Sequence, residues 1–240
     1  MIKTVFFSFI LFSSLALCQV NTESMRGDNQ SPGVTHNMAL NFSYFSWSVE
    51  IIQLMGSYRM DYLSNSNWNG FLAVRYNRAF EKDKEDFSNR AFMHLRTARP
   101  ILARTDIEGF LQKESNHFIN LENRELFGGG IRINQVGNLY WGIGIMHEME
   151  KYNNISQEQN FIKSTNYINY QVNVLEIIEL QNVMYYQFKL DNPEDYRILW
   201  NGNLTINASK GISFHMNTHY RFDKSGDSYF EISNGLGFQF

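Results

Sequence analysis

The chain ends Tyr229-Phe230-Glu231-Ile232-Ser233-Asn234-Gly235-Leu236-Gly237-Phe238-Gln239-Phe240, and the reading of this stretch decides the fold. Successive side chains of a strand point to opposite faces, so Phe230, Ile232, Leu236, Phe238 and Phe240 share one side, broken only by Asn234. The same period of two runs back through the chain. Ile212, Phe214, Met216, Tyr220 and Phe222 oppose Ser213, His215, Asn217, His219 and Arg221; Ile198, Trp200, Leu204 and Ile206 oppose Arg197, Asn201, Asn203 and Thr205. Ile168, Tyr170, Val172 and Val174 oppose Tyr167, Asn169, Gln171 and Asn173. Ile107 and Leu111 oppose Asp106, Glu108, Gln112 and Glu114, Met93 and Leu95 oppose His94 and Arg96, and Leu54, Tyr58 and Met60 oppose Arg59 and Asp61. No stretch from Met38 onward carries a helical stripe, and the alternation predicts an all-β protein.

Which face lies inside is the deciding question. A soluble sandwich or lipocalin-like binder would bury the apolar face. Three features favour the reverse. Aromatic residues gather near strand ends, as in the two girdles of a membrane barrel. The strands run to about 10 to 14 residues, long enough to cross a bilayer at a tilt. The terminal aromatic, with apolar residues alternating back from it, resembles the assembly signal of bacterial outer-membrane barrels. Phe238 and Phe240 are the residues of that signal, and outer-membrane lipid and the barrel-assembly machinery are the partners it implies. A strand-only spanning protein has to close on itself. The predicted architecture is therefore an antiparallel transmembrane β-barrel of about 12 strands: 38–46, 49–62, 67–80, 87–98, 102–114, 119–133, 138–151, 163–175, 177–190, 195–207, 211–223 and 228–240. The charged connections 81–86, 152–162, 191–194 and 223–227 then fall on the outer side, and short turns at Ser64-Asn65-Ser66, Arg99-Pro100, Gln135-Val136-Gly137 and Ser209-Lys210-Gly211 on the periplasmic side.

Composition agrees with export and excludes other classes. With 43% hydrophobic and 19% charged residues, collagen, disorder and coiled coil are ruled out. The 21 basic and 24 acidic residues give a net charge of −3, so no global field attracts nucleic acid, and none is expected as a partner. Lys3 before the apolar run Val5–Phe12 and the small residues up to Cys18 predict a secretory signal over 1–18. Cys18 is the only cysteine; lipid attachment to it is a second reading, opposed by the bulky Leu17 before it. Residues 19–36 are polar and aperiodic and are expected to form a leader without chemistry, with the barrel occupying 37–240.

Phe87 to Leu102, Glu108-Gly109-Phe110-Leu111-Gln112-Lys113-Glu114 and Leu121-Glu122-Asn123-Arg124-Glu125-Leu126-Phe127-Gly128-Gly129-Gly130-Ile131-Arg132 resemble the domain-of-unknown-function 481 (DUF481) group of outer-membrane proteins, sometimes labelled salt-induced. The resemblance is best over 85–150. Many relatives carry Gly-Asn at the first hairpin, where this chain has Ser46-Trp47-Ser48-Val49-Glu50. The resemblance implies an exported barrel in a Gram-negative outer membrane and supplies no activity.

The remaining constellations are weighed against plain structural roles. Gly128-Gly129-Gly130 lacks the following Lys-Ser/Thr and the helix of a phosphate loop, so Gly128, Gly130, Gly142 and Gly144 are read as strand glycines that permit curvature or make room for large inward neighbours. His215 and His219 share a face but lie about 13 Å apart along a strand, too far for one metal ion. His147 falls on the outward face with Trp141, Ile143 and Ile145. Ser213, His215 and Asn217 suggest a barrel lipid hydrolase, with Ser43 or Asp106 as distant completions, but successive same-face residues are about 6.6 Å apart, beyond hydrogen-bond reach. No catalytic residue, cofactor or metal is expected. The candidate lumen lining is Arg59, Arg75, Arg96, Glu108, Arg124, Arg132, Glu148, His215, His219 and Arg221, with Asp61, Asp106, Glu114, Glu150 and Glu179 as counter-charges. Inward-facing, these groups can pair across strands and fill the barrel, or leave a narrow polar conduit. The expected role is structural or envelope-adaptive, or passage of small solutes.

Overall fold

A computed structural model describes Glu23 and residues 31–240, apart from 47–49, 82–85, 136, 156, 175–176, 210–211, 225–227 and 239–240. The signal over 1–18, with Cys18, most of the leader, and Phe240 lie outside the described residues.

Twelve strands form one antiparallel sheet in chain order: β1 Gly33–Ser46, β2 Glu50–Leu63, β3 Asn69–Glu81, β4 Asp86–Leu102, β5 Thr105–Asn116, β6 Leu121–Asn134, β7 Leu139–Tyr152, β8 Gln159–Val174, β9 Ile178–Lys189, β10 Tyr196–Ser209, β11 Ile212–Asp223 and β12 Tyr229–Phe238. Each strand pairs with the next, as hairpin connections demand. The sheet curls round an interior. Tyr167 on β8 donates to Glu108 on β5 at 3.1 Å, and Arg197 on β10 donates to Glu148 on β7 at 3.1 Å; these strands are not neighbours. β1 and β12 are the ends of the order, and among the described residues no ladder joins them. Closure of a spanning sheet requires these two edges to meet.

The orientation follows the sequence pattern. Ile107, Leu111, Trp141, Ile143 and Ile145 point out and are exposed, Ile145 by 56%, while Arg124 and Glu148 on the other face are fully buried. A soluble protein would not present so continuous an apolar surface to water. Outward charge returns towards one end, where Lys113 and Glu125 pair at 2.6 Å and His147 packs on Phe127 with ring centroids 5.0 Å apart. At the other end Arg99 stacks over Trp68 at 5.4 Å.

Most boundaries shift by a residue or two from the sequence expectation, and the larger shifts fall at β1, at β4 to β6, and at β8, which starts at Gln159 inside the connection expected over 152–162. β1 starts at Gly33, so the end of the stretch read as leader belongs to the barrel. Arg99 and Pro100 lie inside β4, and the turn falls at Ala103–Arg104. Pro100 is accommodated by a register shift between Pro100 and Leu102, a position where a missing N–H costs no regular ladder bond. A single 3-10 turn, His117–Ile119, separates β5 from β6, which begins at Leu121 rather than 119.

The inward face is also less uniformly polar than the alternation suggested. Phe71, Phe92, Leu126, Met146, Tyr167, Val183, Tyr185 and Leu199 are buried within it. A narrow barrel has to fill its own interior, and charged side chains alone pack poorly. Glycine makes room for this filling: a Cβ on Gly142 would meet the Tyr167 ring at 1.9 Å, and one on Gly128 would meet Phe110 at 2.7 Å.

Candidate functional site: the ionised lumen

Among the described residues the larger charge clusters inside the barrel are two, one towards each end. The first gathers where β5, β7 and β11 finish and β6, β8 and β10 begin. Arg124 stands at its centre, fully buried. It donates to Glu114 at 2.8 Å and to Glu150 at 2.7 Å, and lies 3.2 Å from Glu148. Glu148 also meets Lys163 and Arg197. Arg197 reaches Asp223 at 2.8 Å, and Arg221 reaches the same carboxylate at 2.9 Å. Four cations thus face four carboxylates on six strands. Each is buried to at least nine-tenths. Charges so far from water persist only when paired, because removing an ion from water costs several kcal/mol, on the order of the attraction regained.

The second cluster lies towards the opposite end and holds Arg96, Arg132 and Glu108. Between them sits the carboxylate of Glu23. Arg96 donates to it at 2.5 Å, Arg132 at 3.1 Å and Asn169 at 3.2 Å. Arg96 and Glu108 approach to 3.8 Å, as do Arg132 and Asp106. Arg132 also stacks over Tyr140 at 3.6 Å. Above this cluster, His94 lies among Phe71, Phe92 and Phe110 with ring centroids 5.5 to 6.3 Å away. One cavity among the described residues, bordered by Arg96, Glu108, Phe110, Gln112, Tyr167 and Gln187, has about 40 Å³, room for a water molecule or two.

Arg96, Glu108, Arg124, Arg132, Glu148, His219 and Arg221, named from sequence, are buried or nearly so. Arg59 and Arg75 behave differently. Arg59 pairs with Asp61 on its own strand at 2.5 Å and stacks on Phe71 at 4.8 Å; Arg75, on the face of buried Phe71 and Ala73, is exposed. Glu179 is exposed and accepts a bond from Gln171 at 2.9 Å. Phe238 closes β12.

Ser213 and His215 lie closer together than the strand spacing predicts. Ser213 Oγ and His215 Nε2 are hydrogen-bonded at 2.7 Å, and Thr205 Oγ1 meets His215 Nδ1 at 3.1 Å. Strand side chains lean along the strand, so Cα spacing overstates the gap between same-face tips. His215 and its two hydroxyl neighbours therefore form a small hydrogen-bonded group.

Lys163, Arg197 and Asp223 are absent from the lining named from sequence. Arg197 was legible through its alternation with Ile198 and Trp200; Asp223 is the last residue of β11, and Lys163 stood at the edge of a strand expected to begin there, whereas β8 begins at Gln159. Glu23 lies in aperiodic sequence and carried no signal at all.

A sheet wrapped with its apolar face outward and an ion-paired interior defines a transmembrane-type β-barrel. The chain belongs to the family described as "Protein of unknown function, DUF481", which it matches over residues 52–228, a wider span than the stretch of closest resemblance. No curated protein matches it by sequence. Among solved structures it is similar to the translocator domain of the autotransporter NalP from Neisseria meningitidis, at 11% identity over 89% of this chain and 90% of that one, TM-score 0.50. It also aligns with the NanC porin, at 10% identity over 86% and 99% with TM-score 0.49, and with the KdgM porin, at 12% identity over 86% and 98% with TM-score 0.41. The NalP likeness supports the barrel fold alone.

Proposed function

We propose that this protein is a structural barrel of the bacterial outer membrane whose lumen is sealed by its own side chains. One observation carries the reading: Arg124 and Glu148 have no exposure to solvent, and their network ties β7 to β10 across the interior. An open pore would leave these ions hydrated. The outward apolar band supports a lipid partner, and β12 ending on Phe238 supports assembly through the C-terminal strand. The Ser213–His215–Thr205 group is read as structural, because a hydroxyl rather than a carboxylate stands behind the histidine.

Purified protein in planar bilayers is expected to insert without a steady ionic current, and to migrate faster on detergent gels unheated than boiled. Sustained conductance of the wild type would overturn the sealed-lumen reading. The second reading, a narrow small-solute conduit, is favoured by the exposed Arg75 and the partly exposed Arg59 on the β2–β3 wall. Conductance steps altered by Arg75→Ala would establish it. Release of fatty acid that is lost in His215→Ala would establish the hydrolase instead.

A further inference from the structure

The cluster around Glu23 has the form of a receptor with its ligand in place. Both carboxylate oxygens are held: Oε2 accepts from Arg96, while Oε1 accepts from Arg132 and from Asn169. The three donors come from β4, β6 and β8, alternate strands of the rigid wall, whereas the carboxylate comes from outside the sheet. Glu23 has no exposure to solvent, and Arg96 and Asn169 are 4% and 3% exposed. The barrel's own carboxylates satisfy these donors less closely, since Glu108 and Asp106 stand at 3.8 Å from the two arginines. Arg96 Nε and Asn169 Oδ1 still lack a hydrogen-bond partner among the described residues, so the wall carries polar capacity beyond what Glu23 uses.

We propose that Arg96, Arg132 and Asn169 form a carboxylate-binding site in the lumen, which Glu23 of the same chain occupies, and which takes a small carboxylate from solution when Glu23 is removed. Two guanidinium groups and an amide N–H converging on two oxygens suit a planar carboxylate better than a spherical halide. Tethering gives Glu23 a local concentration on the order of millimolar or more, so dilute free acids do not displace it from the intact chain. The proposal uses the sealed lumen only as background and has its own readout.

The protein extracted from membranes in detergent, as wild type and as Glu23→Ala, is titrated with sodium acetate and with sodium chloride at matched ionic strength. Line broadening of carbon-13-labelled acetate and the unfolding temperature are read. Acetate is expected to bind and stabilise Glu23→Ala with a half-saturation at least about tenfold below that of chloride, a difference of about 1.4 kcal/mol. Wild type and the double variant Glu23→Ala/Arg132→Gln are expected to show neither effect. Should Glu23→Ala not fold, Glu23→Gln preserves the side-chain volume, and the same order of salts is expected with smaller shifts. Acetate acting alike on wild type and variant, or on neither, overturns the site. Chloride equalling acetate overturns the carboxylate assignment. A conducting wild type would count against the sealed barrel and leave this titration to be decided separately.

Discussion

The wall of the lumen built from β5–β8, β10 and β11 and the wall built from β1–β3 share one alternation pattern but have different interiors. On the first, Arg124, Glu148, Arg197 and their partners are buried to within a few per cent. On the second, Arg59 is about a quarter exposed although it pairs with the buried Asp61 and lies over Phe71 of β3, Arg75 is exposed, and the described residues of β1 are exposed on both faces. Period two decides which way a side chain points. It does not decide whether anything reaches across to meet it. Burial in this barrel depends on that second condition, which needs long side chains of opposite sign at matching heights on strands that face one another.

The sharpest way to break the contrast is Arg124→Ala. It leaves Glu114, Glu148 and Glu150 with fewer cations in a dry setting, at an expected cost of about 3–5 kcal/mol. Urea unfolding in detergent, followed through the shift of heat-modifiable migration, measures it. A loss below 1 kcal/mol, roughly the worth of an exposed pair, would mean that water enters this wall too.

The outward face supplies the next effect. Ile143 stands between Trp141 and Ile145 in the apolar band, and Ile143→Arg is expected to cost about 2–4 kcal/mol in a bilayer. Folding into lipid vesicles should suffer while folding in a polar detergent suffers less. Equal stability of Ile143→Arg and wild type in lipid would reverse the assignment of the two faces.

Gly142 tests how tightly the filled wall is packed. Its substitution by alanine drives a methyl group into Tyr167, an overpacking expected to cost about 1–3 kcal/mol. Gly235→Ala on β12 has nothing within 4 Å of the added carbon and should leave the unfolding midpoint unchanged. Equal losses at the two sites would assign the effect to strand conformation rather than to the crowding of the lumen.

Much of this was legible beforehand, for a physical reason. The twelve strands, the facing of Arg96, Glu108, Arg124 and Arg132, and the packing role of Gly128 and Gly142 all follow from local period and residue size. The partnership of Glu148 with Arg197 does not, because it depends on the heights at which β7 and β10 meet across the interior. The Ser213–His215 bond was hidden by arguing from backbone spacing, and Pro100 was misread because a bulge lets it remain within a strand. Glu23 could not be read at all: its role comes from three donors distributed over β4, β6 and β8, and its own neighbourhood has no period to reveal it.

The smallest expected effect completes the contrast from the open side. Arg59 donates to Asp61 two residues away and rests on Phe71, with about a quarter of its side chain reachable by solvent. Arg59→Ala removes a pair whose donor is open to solvent although Asp61 itself is buried, so the expected loss is about 1 kcal/mol, the net worth of a hydrogen bond. Because the two groups share one strand, the pair fixes no distance between strands, and Arg59→Ala combined with Arg124→Ala should be additive. If Arg59→Ala instead costs as much as Arg124→Ala, or if the two changes fail to add, the β1–β3 wall is sealed as tightly as the other and the lumen has a single interior throughout.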